Sequence, residues 1–157
     1  MSLNIANLFH LSLEKTTKEI KDAIAKKVTY LREKITEREG RILKLREEHS
    51  LDDKAFIALL MEARRDAENN VRGKMSYTCN STGLGGSRDD REITLGAGLV
   101  MDLLTESDLI ATEKSSIRRL ELIGRNIRPT VNWDNEGRAY TRDCFTLSYD
   151  ALEYLGF

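Results

Sequence analysis

The stretch that most constrains the fold runs from about Leu11 to Glu48, because it contains no proline and a single glycine, Gly40. Its apolar residues recur at alternating steps of four and three, which is the a/d spacing of a heptad repeat. The repeat comprises Ile24, Val28, Leu31, Ile35, Arg38, Ile42 and Leu45. The pattern therefore predicts a long helix with a narrow apolar seam that packs against another helix.

A second helical segment over residues 51–72 is the simplest partner for this seam. It begins with a capping signal, in which Ser50 is followed by Asp53 three residues later. The two segments together predict a helical hairpin. Because the second helix is about half as long as the first, it covers only part of the seam. We therefore expect the chain to form a homo-oligomer through its N-terminal helices. Arg38 either reaches the edge of the seam or faces a carboxylate of a partner.

The pattern changes after Lys74. The runs "MSYTC" and "REITL" are typical of short strands. The apolar spacing after Gly98 predicts either one helix or a short helix followed by a longer one. A turn at 134–137 predicts a β-hairpin, and Ser148 predicts the cap of a last helix. The expected fold is a predominantly helical α+β protein. A helical hairpin or coiled-coil oligomerisation region spans 1–74, and a small α+β module of short strands, one or two helices and a β-hairpin spans 75–157.

A glycine-rich loop lies between the two predicted strands. Glycines let consecutive backbone N–H groups face an anion, and arginines stand close by in the sequence. The candidate ligands of an anion are Gly83, Gly85, Gly86, Ser87, Arg88 and Arg91. The loop lacks the lysine of a phosphate-binding P-loop. The Gly96–Gly98 turn after the second strand lacks the third glycine of a dinucleotide fingerprint, because Met101 stands in its place. The loop therefore predicts either an anion site for a small molecule such as a nucleotide or a flexible connection between two strands.

Aromatic residues are concentrated near the C-terminus. Trp133 directly precedes the predicted hairpin turn, with Arg138 and Tyr140 on the following strand. These three residues are either an interface that contacts a protein partner or part of the core of the small module.

Charge and composition narrow the function classes. The net charge of −1 disfavours nucleic acid and anionic membranes as partners, although the arginines between Arg118 and Arg128 form a basic face on the predicted helix. No apolar run reaches the roughly 20 residues that span a bilayer, and two cysteines do not form a disulfide framework. These features indicate a cytoplasmic protein. No catalytic constellation and no set of metal ligands is recognisable, and we predict no cofactor.

The sequence thus favours a non-enzymatic, oligomeric interaction protein, an adaptor or inhibitor that presents its C-terminal module to a protein partner. In size and organisation, though in no motif, it resembles accessory proteins of phages and bacteria. The alternatives are a protein that binds an anionic small molecule at the glycine-rich loop and a nucleic-acid-binding protein that uses the Arg118–Arg128 face.

Overall fold

The computed structural model describes residues 12–81 and 91–157 of the chain. Its elements in order are β1 (Ser12–Thr16), α1 (Thr17–Glu48), α2 (Asp53–Glu68), β2 (Ser76–Ser81), β3 (Arg91–Gly96), α3 (Ala97–Asn126), β4 (Thr130–Trp133), β5 (Ala139–Arg142), β6 (Cys144–Ser148) and α4 (Tyr149–Leu155). The strands pair as three antiparallel two-stranded sheets, β1 with β6, β2 with β3 and β4 with β5. The predicted fold class, a predominantly helical α+β protein with a long N-terminal helix, is confirmed.

The chain divides into two compact units. The first lies within Met1–Arg32 and Ser115–Phe157, and the second lies within Glu33–Lys114. Each unit takes residues from both sides of Lys74, so the contacts group the chain differently from the predicted division into 1–74 and 75–157. The pairing of β1 with β6, for example, brings residues from both sides of Lys74 together in the first unit.

The first unit contains the beginning of α1, the end of α3, the sheet β1–β6, the hairpin β4–β5 and α4. α1 begins with a reciprocal capping box, in which the backbone N–H of Glu19 donates to the hydroxyl of Thr16 and the N–H of Thr16 donates to the Glu19 carboxylate. The predicted start at Leu11 is therefore wrong, because residues 12–16 pair with β6 as a strand. Close helix packing occurs at Gly124, where a Cβ would lie 3.6 Å from Cγ2 of Ile24.

The second unit is built around a core formed by α2, the sheet β2–β3 and the beginning of α3. Its buried residues are Leu51, Ala55, Leu59, Ala63, Tyr77, Leu95, Val100 and Leu104. α2 begins at an N-cap residue, Asp52, whose carboxylate accepts the N–H of Ala55 at 2.7 Å. The predicted capping role of Ser50 is wrong, because Ser50 has a φ of 54° and lies in the turn between α1 and α2.

α3 is one continuous helix of 30 residues, which is the first of the two alternatives that the sequence left open. Thr105 marks the predicted break, but its hydroxyl donates to the carbonyl of Met101 at 2.9 Å. The side chain therefore bonds one turn back within the helix instead of capping a new one.

Candidate functional site

The glycine-rich loop lies mostly outside the described residues. Gly83, Gly85, Gly86, Ser87 and Arg88 all belong to residues 82–90, and only Arg91 is described, as the exposed first residue of β3. The anion site at this loop therefore stays a prediction.

Four residues of the heptad seam, Ile24, Val28, Leu31 and Ile35, are buried within the single chain. The seam continues through Ile42 and Leu45, which are half-buried. Much of the seam is therefore covered by the chain itself. The predicted self-association through the N-terminal helices stays a prediction.

Arg38, the charged residue of the seam, meets two carboxylates of its own chain on α3. Its guanidinium donates to Glu113 at 3.2 Å and to Glu106 at 3.2 Å, and Arg41 contacts Glu106 at 3.1 Å. Burial raises the pKa of Glu106, but hydrogen bonds from Arg38 and Arg41 lower it by more, so the pKa lies below its ordinary value. This network joins α1 to α3 in the second unit, so the charge of Arg38 is balanced within the fold of one chain.

A second polar cluster connects α2 to β2. The ammonium of Lys74 lies 2.6 Å from Glu62 and 2.9 Å from Asp66, and the Tyr77 hydroxyl donates to Asp66 at 3.0 Å. Burial, followed by the hydrogen bond to Asp66, raises the pKa of Tyr77. Each of these groups has a partner of complementary charge or hydrogen bonding, so the cluster stabilises the fold and indicates no reaction.

The basic face on α3 is exposed but partly neutralised. Arg118 and Arg125 are both exposed, and Arg125 lies 3.9 Å from Glu121 on the same helix. Glu121 also accepts from Arg32 at 2.6 Å. Carboxylates within this surface weaken it as a site for polyanions.

The β4–β5 hairpin places a large aromatic residue in solvent. Trp133 is 70% exposed and Val131, two residues earlier on the same strand, is 63% exposed. Side chains alternate across a strand, so these two lie on one face of the hairpin. Their cross-strand partners on that face are Thr141 and Ala139, which are also exposed.

The predicted grouping of Trp133 with Arg138 and Tyr140 is wrong in one respect. Tyr140 pairs with Asn132, and Trp133 pairs with Ala139, so the two aromatic side chains lie on opposite faces. Arg138 shares the Tyr140 face by the same alternation. The sequence places these residues on one hairpin, but only the register assigns them to a face.

Local hydrogen bonds fix the hairpin turn. The carboxylate of Asp134 accepts the N–H groups of Glu136 and Arg138 at 2.9 and 2.7 Å, and Gly137 has a φ of 75°. Glycine adopts this left-handed conformation without steric cost, which explains its position in the turn. At the base of the hairpin, Arg142 contacts Glu14 of β1 at 2.8 Å. The face that carries Trp133 and Val131 thus belongs to a hairpin whose turn has a defined geometry.

Metal and thiol chemistry receive no support from the described ranges 12–81 and 91–157. They contain no group of three metal-ligating side chains. Cys79 and Cys144 are free and half-buried, and burial raises the pKa of the Cys79 thiol, which keeps it protonated. Among the helices of these ranges, none combines the length and the apolar character that crossing a membrane requires.

No protein-family model matches the chain, and neither a curated protein nor a solved structure matches it.

Proposed function

We propose that the chain is a non-enzymatic, cytoplasmic interaction protein, an adaptor or inhibitor, that binds a protein partner through the exposed face of the β4–β5 hairpin. The face is defined by Val131, Trp133, Ala139 and Thr141 and is called the Trp133 face below. The observation that carries the proposal is the exposure of Trp133 beside Val131, which is also exposed.

The conformation of the hairpin supports a role in binding. Every residue of β5, and all of β4 except Asn132, is exposed, so neither strand is covered by the core. A two-stranded hairpin is marginally stable in water unless something packs on it. Burial of the Trp133 face against a partner would supply that packing and would remove the apolar surface from water.

The charges of the hairpin favour a protein partner over a polyanion. Asp134 and Glu136 oppose Arg138 and Arg142, so the segment has no net charge from these groups. Arg138 is also paired with Glu136 at 3.0 Å. Tryptophan is enriched among the residues that dominate protein interfaces, and truncating one at an interface centre costs about 2–4 kcal/mol. We therefore expect a partner with an apolar pocket for the indole.

The two faces of the hairpin provide a matched test. A photo-cross-linking residue is introduced at Val131, on the Trp133 face, or at Asn132, on the opposite face, in cells that express the chain. We expect a discrete cross-linked protein from position 131, much less from 132, and loss of the 131 product when Trp133→Ser is added. The variant Tyr140→Ser is the control and should retain the product.

Two outcomes contradict the proposal. Equal cross-linking from both faces, or a product at 131 that survives Trp133→Ser, would show that the Trp133 face is not the contact. With the captured partner purified, Trp133→Ser should weaken binding about 30- to 900-fold, the range that corresponds to 2–4 kcal/mol.

A further inference from the structure

The sheet β2–β3 in the second unit has an edge whose backbone groups point outward along β2. The N–H of Ala97 donates to the carbonyl of Met75 at 2.9 Å, which makes residues 75 and 97 a hydrogen-bonded pair. In an antiparallel ladder such pairs alternate with non-hydrogen-bonded ones. The register then directs the N–H and C=O groups of Ser76, Thr78 and Asn80 away from β3.

The sequence of β2 lacks the residues that usually prevent edge strands from pairing. Natural edge strands carry charged residues, prolines or bulges that block addition of another strand. β2 has the sequence SYTCNS, without a charge or a proline, and its register with β3 is continuous. β3 by contrast begins with Arg91 and Glu92. Of the two strands, β2 is the one suited to accept a further strand.

α2 lies beside this edge and presents a self-complementary surface. A cleft of about 530 Å³ runs between the two elements, and its wall on the helix includes Lys54, Ala58 and Glu62. These three residues are spaced by four, so they form one row along α2. The row has positively charged Lys54 at one end, the small side chain of Ala58 at its centre and negatively charged Glu62 at the other end. A two-fold axis at Ala58 places Lys54 of one copy against Glu62 of the other, where it would join the contact that Glu62 makes with Lys74 of its own chain at 2.6 Å.

Apolar side chains flank the centre of the same row. Ile57 is 55% exposed and Met61 is 61% exposed, and their spacing of four places them one above the other on α2. They adjoin Ala58 on the helix surface. An exposed apolar centre between charged ends is the arrangement expected of an interface with a polar rim.

From these observations we propose that two copies of the chain pair through the outer edges of β2, antiparallel about a two-fold axis near Thr78 and Ala58. Ser76 of each copy lies opposite Asn80 of the other, which gives a continuous four-stranded sheet β3–β2–β2–β3. The two α2 helices then pack side by side on one face of that sheet. This inference does not rest on the proposed function of the hairpin.

A second copy fits this surface better than an unrelated peptide does. An unrelated peptide could also bond to the outward backbone groups of β2. It would not explain why Lys54 and Glu62, which have opposite charges, lie at equal distances on either side of Ala58. The contact follows one six-residue strand and one 16-residue helix. A contact of this extent lies near the lower limit of specific interfaces, so we expect a dimer dissociation constant in the micromolar range.

Analytical ultracentrifugation of the full chain over a wide concentration range tests the proposal. We expect a monomer–dimer equilibrium that Ala58→Glu weakens about 100-fold or more, because two carboxylates would meet at the axis. Ala67→Glu is the matched control. Ala67 is an exposed alanine of α2 nine residues later, about half a turn around the helix, so this variant should change the dissociation constant by less than about threefold. Circular dichroism checks that both variants fold.

Amide hydrogen exchange of the unmodified protein gives a second, independent readout. The N–H groups of Thr78 and Asn80 should become protected as concentration rises, whereas those of Tyr77 and Cys79, which face β3, should be protected at every concentration. A chain that stays monomeric, a dimer that tolerates Ala58→Glu, or exchange at Thr78 that does not depend on concentration would overturn the proposal. Binding of an extended peptide to a monomeric chain would likewise reject it.

Discussion

Replacing Ser81 by alanine should destabilise the second unit, because one hydroxyl joins β2 to the turn before α2. Ser81 is 1% exposed. Its hydroxyl donates to the carbonyl of Ser50 at 2.7 Å and accepts the N–H of Asp52 at 3.1 Å. Alanine leaves the half-buried Asp52 N–H without this acceptor and the Ser50 carbonyl without this donor, and the loss of the N–H acceptor costs about 1–3 kcal/mol. We therefore expect a loss of about 1–3 kcal/mol in the free energy of unfolding.

Urea unfolding followed by far-ultraviolet circular dichroism measures this loss. Fluorescence is a poor probe because the single tryptophan, Trp133, is exposed and lies in the first unit. The urea midpoint of Ser81→Ala should fall while the slope of the transition stays constant. Ser76→Ala, at an exposed position of the same strand, is the control and should change stability by less than about 0.5 kcal/mol. If both variants lose the same amount, the hydroxyl bridge does not stabilise the fold.

Three further predictions concern packing, backbone geometry and pH. Leu59→Ala should cost about 2–5 kcal/mol in urea unfolding because Leu59 is buried in the core of the second unit, whereas the exposed Leu43→Ala should cost less than about 0.5 kcal/mol. Gly137→Ala should cost about 1–2 kcal/mol, seen as faster amide exchange in the hairpin, because alanine is strained at a φ of 75°. The Glu106 carboxylate, with its lowered pKa, should stabilise the fold above its ordinary value of 4.5 and lose that effect as pH falls below it. Glu106→Gln should therefore be less stable than the unmodified chain at pH 7, and the difference should shrink at pH 3; a constant difference would contradict the ion-pair explanation.

Elements with local signals could be predicted from the sequence. The strands around 75–81 and 91–96, the turn closed by Gly137 and the last helix capped by Ser148 all appear where predicted. In each case the residues that determine the structure are neighbours. The Ser148 hydroxyl, for example, accepts the N–H of Ala151 three residues later.

Elements that depend on distant partners could not be predicted. β1 pairs with β6, whose residues follow more than a hundred positions later, and its own sequence SLEKT continues the helical pattern. Likewise the heptad spacing of α1 indicates that a stripe is buried, but it does not say which segment covers it.

Arg38 shows how one charged residue in the seam of α1 can determine which helix packs against α1. The Arg38 side chain is half-buried, and a guanidinium in such a place is favoured where carboxylates face it. Among the described residues, α3 supplies Glu106 and Glu113, seven residues apart and therefore on one face two turns from each other. Both can reach Arg38 only when α3 lies along this part of α1 in one register. A second copy of α1 would place arginine against arginine in a symmetric parallel seam. The residue that interrupts the apolar repeat thus disfavours a parallel coiled coil with a second copy, and it favours pairing with α3 of the same chain.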